Sequence, residues 1–139
     1  MAAHGCHLDA DAERRPLYAA WVGPRIFSGT YLGWFAVEGE TVLGGAGAVL
    51  LDWGPTRANP GGVMARIVNV FTTESHRGKG IARQLLQAVL ADCEARGVRE
   101  FNLGASAAGR GIYRGLGFEP YEAEMRRRCA SVGDASVPR

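Results

Sequence analysis

The spacing of hydrophobic and polar residues divides the chain into helix-like and strand-like segments. After a glycine-rich stretch, apolar side chains fall on one helical face, at Ile81, Leu85, Leu86, Val89 and Cys93. Gly97 follows as the residue that ends this helix. Residues 65–72 alternate loosely and are rich in Ile and Val, which predicts a strand, and residues 100–105 form a second, shorter one. The order strand, helix, strand predicts a right-handed crossover with two parallel strands.

The remaining segments are assigned in the same way. Before the first of these strands the pattern predicts a helix interrupted by Pro24 and a hairpin; after the second it predicts a short helix ending at Gly117 and a last strand. The predicted ranges are 12–27 for the first helix, 31–37 and 41–53 for the hairpin strands, 54–62 for a loop, and 118–125 for the last strand. The expected fold class is therefore α/β with a mixed sheet.

The segment between the predicted strand and helix, residues 70–82, has the composition of an anion-binding loop. Its glycines permit a tight turn, and the first N–H groups of the helix would face a bound phosphate with the helix dipole behind them. Arg77 and Lys79, the only lysine of the chain, add positive charge there. A Walker A loop is excluded because Gly80 follows the lysine where Ser or Thr is required. A dinucleotide fingerprint is disfavoured because Arg83 occupies the position of its third glycine.

Two short motifs give the chain a resemblance to a known family. The pattern Arg77-x-x-Gly80-x-Ala82 resembles the pyrophosphate-binding motif of the Gcn5-related N-acetyltransferases, or GNAT family. The pattern Tyr113-x-x-x-Gly117-Phe118 resembles the second element of that family, at the usual distance after the loop. The two motifs and the intervening helix span roughly residues 67–125. The resemblance implies the mixed-sheet fold of acyl-CoA N-acyltransferases, with acetyl-CoA as cosubstrate and no metal.

The resemblance also assigns roles to individual residues. The pyrophosphate would be bound by the loop residues Arg77, Gly78, Lys79, Gly80, Ile81 and Ala82. The main chain at Val70 and Thr72 would pair with the pantetheine arm, and Ser106 stands where many relatives carry an asparagine that contacts it. Tyr113 would be the catalytic residue, because a phenol with a pKa of about 10 stays protonated at neutral pH and can donate to the departing thiolate.

The implied reaction is direct attack of a primary amine, from a small molecule or a protein, on the thioester. The candidates for the base that removes the amine proton are Asp52, Glu74 and His76, with Asn69 as a residue that positions water. Trp34 and Trp53 either shape an acceptor pocket or serve packing. The alternative function is a non-catalytic acyl-CoA-binding protein or a subunit of an assembly.

The composition of the chain indicates the number of domains, the class of partner and the cellular compartment. The 139 residues, 47% of them hydrophobic, suffice for a single domain, expected at residues 1–129, with a flexible tail at 130–139. A net charge of +2 does not favour a nucleic-acid partner, and no segment has the length of a membrane span. Three cysteines without metal-ligand spacing indicate a reducing compartment, so a cytoplasmic protein is expected.

The segment before the hairpin departs from the family pattern. Only 30 residues precede Tyr31, which is room for one helix, whereas the family begins with a strand and two helices. We therefore expect a fold shortened at its N-terminus. The strand at residues 31–37 would then have an open edge, and pairing of this edge with a second copy predicts a homodimer.

Overall fold

A computed structural model describes residues 15–130. The elements in chain order are α1 (Arg15–Ser28), β1 (Tyr31–Glu38), β2 (Thr41–Asp52), β3 (Val63–Thr72), a short 3₁₀ helix (Glu74–His76), α2 (Ile81–Ala95), β4 (Glu100–Asn102) and α3 (Arg110–Gly115). The four strands form one sheet in the order β1-β2-β3-β4. The first three strands are antiparallel and β4 is parallel to β3. This arrangement confirms the mixed sheet and the parallel βαβ unit.

The core lies between α2 and one face of the sheet. The predicted apolar face of α2 is confirmed, since Leu85, Leu86, Val89 and Cys93 are buried in one cluster with side chains from all three long strands. Leu32 of β1 belongs to this cluster. Its neighbour Tyr31 therefore points to the opposite face, where Trp21 of α1 packs edge-on against its ring. The two long helices thus cover opposite faces of the sheet.

Pro24 does not interrupt α1, contrary to the sequence-based expectation. The helix continues past it to Ser28, and Pro24 lies on the exposed side. Proline removes one helical hydrogen bond, and the Arg25 guanidinium next to it donates a 2.7 Å hydrogen bond to the carbonyl of Trp21. The start that the pattern placed at residue 12 lies outside the described residues.

The strand predicted at residues 118–125 is wrong. Phe118 packs against the core, but residues 119–130 have no regular strand structure and are exposed, with Tyr121 and Met125 at 70% and 97% exposure. Alternating apolar residues form a strand only where a partner strand accepts their backbone groups, and Pro120 has no N–H to contribute. The strand predicted at 100–105 is also shorter than expected, because β4 ends at Asn102.

Within the described residues, β1 has a strand partner on one side only. The expectation that the first hairpin strand forms a sheet edge is confirmed. In the same part of the chain, no helix is long and apolar enough to cross a bilayer.

Candidate functional site

The two parallel strands at the centre of the chain separate soon after they meet. β4 pairs only with residues 64–66 of β3, whereas β3 continues to Thr72 with β2 as its partner. The Arg66 guanidinium donates a 3.1 Å hydrogen bond to Asn102 Oδ1 at the point of separation. An opening therefore lies between residues 67–72 and the segment that follows β4. In the described chain no strand pairs with this edge of β3, so Val70 and Thr72 lie where an extended ligand could pair with the backbone.

The glycine-rich loop begins directly at the end of this open edge. After the 3₁₀ turn, Gly78 and Gly80 adopt φ values of 78° and 79°, and Gly80 directly precedes α2. Such left-handed backbone is strained for other residue types. A Cβ at Gly80 would meet no protein atom within 4 Å, so the space in front of the helix is open.

The backbone around Gly80 presents hydrogen-bond donors to that open space. The first helical hydrogen bond runs from the Gln84 N–H to the Gly80 carbonyl at 3.1 Å. The N–H groups of residues 81–83 have no acceptor in the described part of the chain, as is usual for a first helical turn. The side chains of Arg77 and Lys79 are exposed beside them. The loop therefore combines free donors, the positive end of the helix dipole and two cations, which suits a phosphate-bearing ligand.

Tyr113 lies on α3, which approaches the first turn of α2, since a Cβ at Gly115 would meet the Arg83 guanidinium. The half-buried ring of Tyr113 packs edge-on against Phe118, with the centroids 6.1 Å apart, and Gly109 leaves room for it. Burial raises the pKa of the Tyr113 hydroxyl above its ordinary value. The hydroxyl makes no hydrogen bond to another described residue. It therefore remains a protonated donor at neutral pH.

Ser106 has a local contact in this structure. Its Oγ accepts a 3.2 Å hydrogen bond from the Gly109 N–H, just before α3 begins. The residue is exposed, and its hydroxyl proton can still be donated to a ligand.

The structure separates several of the residues considered as base or pocket residues. Asp52 pairs with Val63 at the start of β3, so Asp52 and Trp53 lie about 30 Å along the strand from Thr72, at ~3.3 Å per residue. Trp34 donates a 3.4 Å hydrogen bond to Asp92 on α2, which supports its packing role. Neither tryptophan is therefore placed to form an acceptor pocket at the opening.

The other three candidates lie close to the opening. His76 and the exposed Glu74 belong to the 3₁₀ turn. The His76 Nδ1 is engaged with the hydroxyl groups of Thr73 at 3.2 Å and Ser75 at 2.8 Å. Asn69 is on β3 itself, one residue before Val70.

A cavity of about 770 Å³ lies beside β4 and does not include the loop. Its walls come from β4, α3 and residues 119–124, and Tyr113 is among them. The open end of β3 and the loop line no part of this cavity, and loop residues 77–80 are exposed.

Comparison with known proteins shows to which family the chain belongs. A family model described as an acetyltransferase (GNAT) domain matches residues 18–131. The chain belongs to this family. Family membership supports acetyl-CoA-dependent acyl transfer as the reaction class, and the resemblance inferred from the two motifs is confirmed.

Solved structures of GNAT proteins agree with this assignment. The chain is similar to a GCN5-related N-acetyltransferase from Ralstonia eutropha JMP134, with 30% identity, a TM-score of 0.77, and coverage of 86% of this chain and 78% of that one. A predicted acetyltransferase from Clostridium acetobutylicum, solved with acetyl-CoA, has 22% identity and a TM-score of 0.80, covering 87% of this chain and 79% of that one. AAC(6′)-Iy, in complex with the bisubstrate analogue CoA-S-monomethyl-acetylneamine, has 21% identity and a TM-score of 0.69, covering 86% and 84%. A search of curated proteins found no match.

Proposed function

We propose that this GNAT protein transfers the acetyl group of acetyl-CoA to a primary amine of a small molecule or a protein. One observation carries the proposal. The open edge of β3 leads directly into the glycine loop at the N-terminus of α2. The helix α3, which carries Tyr113, approaches the first turn of α2, since a Cβ at Gly115 would meet the Arg83 guanidinium. A ligand with an extended arm and a pyrophosphate has matching groups in this order along the opening.

The coenzyme would be bound mainly by backbone groups. Residues 78–82 would donate N–H groups to the pyrophosphate, with Arg77 and Lys79 adding charge. The amide groups of pantetheine would pair with the main chain at Val70 and Thr72, and Ser106 would contribute its hydroxyl from the opposite side. Backbone recognition of this kind depends little on side-chain identity, except where glycine is needed.

The chemistry requires a neutral amine and a proton for the leaving group. The amine nitrogen attacks the thioester carbonyl, the C–S bond breaks, and the amine loses a proton. The thiolate, whose conjugate acid has a pKa of about 8.5, takes a proton from the Tyr113 hydroxyl. Because burial raises the pKa of Tyr113, its hydroxyl is protonated at neutral pH and can donate to the sulfur.

An amine is the acceptor that the relatives favour. AAC(6′)-Iy was solved with an analogue that joins CoA to acetylneamine. The Ralstonia eutropha protein is named as an N-acetyltransferase. Both names support nitrogen as the nucleophile.

The test is release of free thiol from acetyl-CoA in the presence of a panel of amines. The panel would contain spermidine, 2-phenylethylamine, glucosamine 6-phosphate and a lysine-containing peptide, with calorimetry to measure acetyl-CoA binding separately. We expect acetyl-CoA to bind, and at least one amine to accelerate thiol release above the rate with water. Binding without acceleration by any amine would favour the non-catalytic acyl-CoA binder, and absence of binding would refute both functions.

A further inference from the structure

Asn69 has an unusual backbone conformation for its position in a strand. Among the described residues it is the only non-glycine residue with a positive φ, at 57°. It lies where the pairing of β2 and β3 shifts register, between the pairs Gly47–Val68 and Gly45–Phe71. A left-handed residue at a bulge costs free energy, and such conformations persist where the surrounding contacts fix them. Contacts around Asn69 must therefore hold it in this conformation.

Two elements, α1 and β1, hold the side chain of Asn69. Its Nδ2 donates hydrogen bonds to the hydroxyl oxygens of Tyr18 on α1, at 2.5 Å, and Tyr31 on β1, at 2.9 Å. The ring of Trp21 packs on both tyrosines, with centroid distances of 5.7 Å and 6.4 Å. Gly47 of β2 leaves the space for the Tyr31 hydroxyl, because a Cβ there would overlap it. The orientation of the carboxamide is thus fixed from both sides.

This orientation leaves the other end of the carboxamide available. Both hydrogens of Nδ2 are used, whereas Asn69 Oδ1 has no hydrogen-bond partner in the described part of the chain. Asn69 is half-buried and lies within the stretch of β3 that faces the opening, next to Val70. A partly buried carbonyl oxygen without a donor favours a ligand that supplies an N–H group.

We propose that the Tyr18–Asn69–Tyr31 cluster positions the acceptor, with Asn69 Oδ1 receiving one N–H of the incoming amine. The inference rests on the proposed acetyltransferase function. A neutral primary amine has two hydrogens and a lone pair, so a bond from one hydrogen to a fixed oxygen orients the lone pair for attack. The N–C bond then forms as the C–S bond breaks. The amine nitrogen loses one proton to solvent, and sulfur receives one from Tyr113, which regains it from solvent.

The test uses substitutions that keep the backbone of the bulge. Glycine accepts a positive φ without strain, so Asn69→Gly removes the carboxamide while retaining the bulge. The Asn69→Asp variant also tolerates this conformation and restores an oxygen acceptor. Tyr18→Phe removes one of the groups that orient Asn69, and Tyr121→Phe, on the exposed segment after α3, is the matched control.

The measurements are kcat and KM for the best amine of the panel, and the dissociation constant of acetyl-CoA. We expect Asn69→Gly to lower kcat/KM for the amine about tenfold, mainly through KM, as expected for one lost hydrogen bond. Acetyl-CoA affinity should stay within about twofold in every variant, Asn69→Asp should recover part of the loss, and Tyr18→Phe should show a smaller loss than Asn69→Gly.

Other outcomes would overturn the proposed role of Asn69. Unchanged KM in a folded Asn69→Gly protein, or an equal loss in Tyr121→Phe, would overturn the assignment while leaving the acetyltransferase function intact. A parallel loss of acetyl-CoA affinity would mark the cluster as structural and also overturn it. If the unmodified protein transfers acetyl to no amine, both the function and the inference fail.

Discussion

The glycine that precedes α2 offers a direct test of the coenzyme site. Gly80 has a φ of 79°, and a Cβ there would meet no protein atom within 4 Å. In Gly80→Ala the new methyl group would project into the space in front of the N–H groups of residues 81–83. We expect this methyl group to keep the pyrophosphate away from those donors.

The magnitude follows from two separate contributions. The left-handed backbone costs an alanine roughly 1–2 kcal/mol in the free energy of unfolding. This cost exists with and without ligand, so it does not itself change affinity. A hydrogen bond to a charged group is worth about 1.5–3 kcal/mol, and losing one of them weakens binding by at least about tenfold, since ~1.4 kcal/mol is a factor of ten.

Gly97 provides the matched control, because it is the corresponding residue at the other end of the same helix. Its φ is 89°, it is exposed, and a Cβ there also meets no atom within 4 Å. Gly97→Ala should therefore lose the same free energy of unfolding as Gly80→Ala and keep its affinity for acetyl-CoA. Calorimetric titration and thermal unfolding of both variants give the comparison. Equal acetyl-CoA affinity in the two folded variants would refute the loop assignment.

Three further predictions concern other parts of the molecule. Tyr113→Phe should lower kcat by roughly 10²–10⁴ with acetyl-CoA affinity retained, and an unchanged kcat would show a packing role. In the unmodified enzyme, kcat should fall only above pH ~10, because burial raises the pKa of this phenol. Burial raises the pKa of the Cys93 thiol to about 11, so maleimide at pH 8 should label the exposed Cys129 and should label Cys93 only after unfolding. Equal labelling of Cys93 and Cys129 in the native protein, measured by peptide mapping, would contradict this. The open edge of β1 should pair with a second copy, and Val37→Lys on that edge should weaken the association; a monomer mass at all concentrations by light scattering would rule it out.

The features that sequence could predict are those determined by neighbouring residues. The face of α2 follows from its spacing, and its glycine stop and the preceding loop follow from local backbone requirements. Gly80 and Gly97 both have the positive φ that such positions need. The same holds for Tyr113 and Phe118, whose contact within one short helix and its exit is local in sequence. These elements carry the family resemblance, which explains why two short motifs were sufficient to recognise the fold.

The features that sequence could not predict depend on what lies beside them in space. The alternation at residues 118–125 has the strand period, yet a strand also needs an adjacent strand, and that segment has none among the described residues. The length of β4 is limited for a related reason, since it separates from β3 after three paired residues. The position of Asp52 and Trp53 at the far end of the sheet likewise follows from strand register, which the hydrophobic pattern leaves open.

The Asn69 cluster shows how this limit applies to the proposed site. Its members come from α1, β1 and β3 and are separated by up to 51 positions in sequence, so no local motif unites them. Asparagine is one of the few residues that tolerate positive φ, but a bulge is defined by the register of its partner strand, which is not readable from β3 alone. The one feature of the sequence that indicates the cluster is the run of glycines in β2, because Gly47 leaves room for the Tyr31 hydroxyl on the face where α1 packs. Glycines in one strand, next to an isolated polar residue in an apolar neighbouring strand, therefore indicate where side chains from distant elements can meet. In this protein that place adjoins the opening where we propose that acetyl transfer occurs.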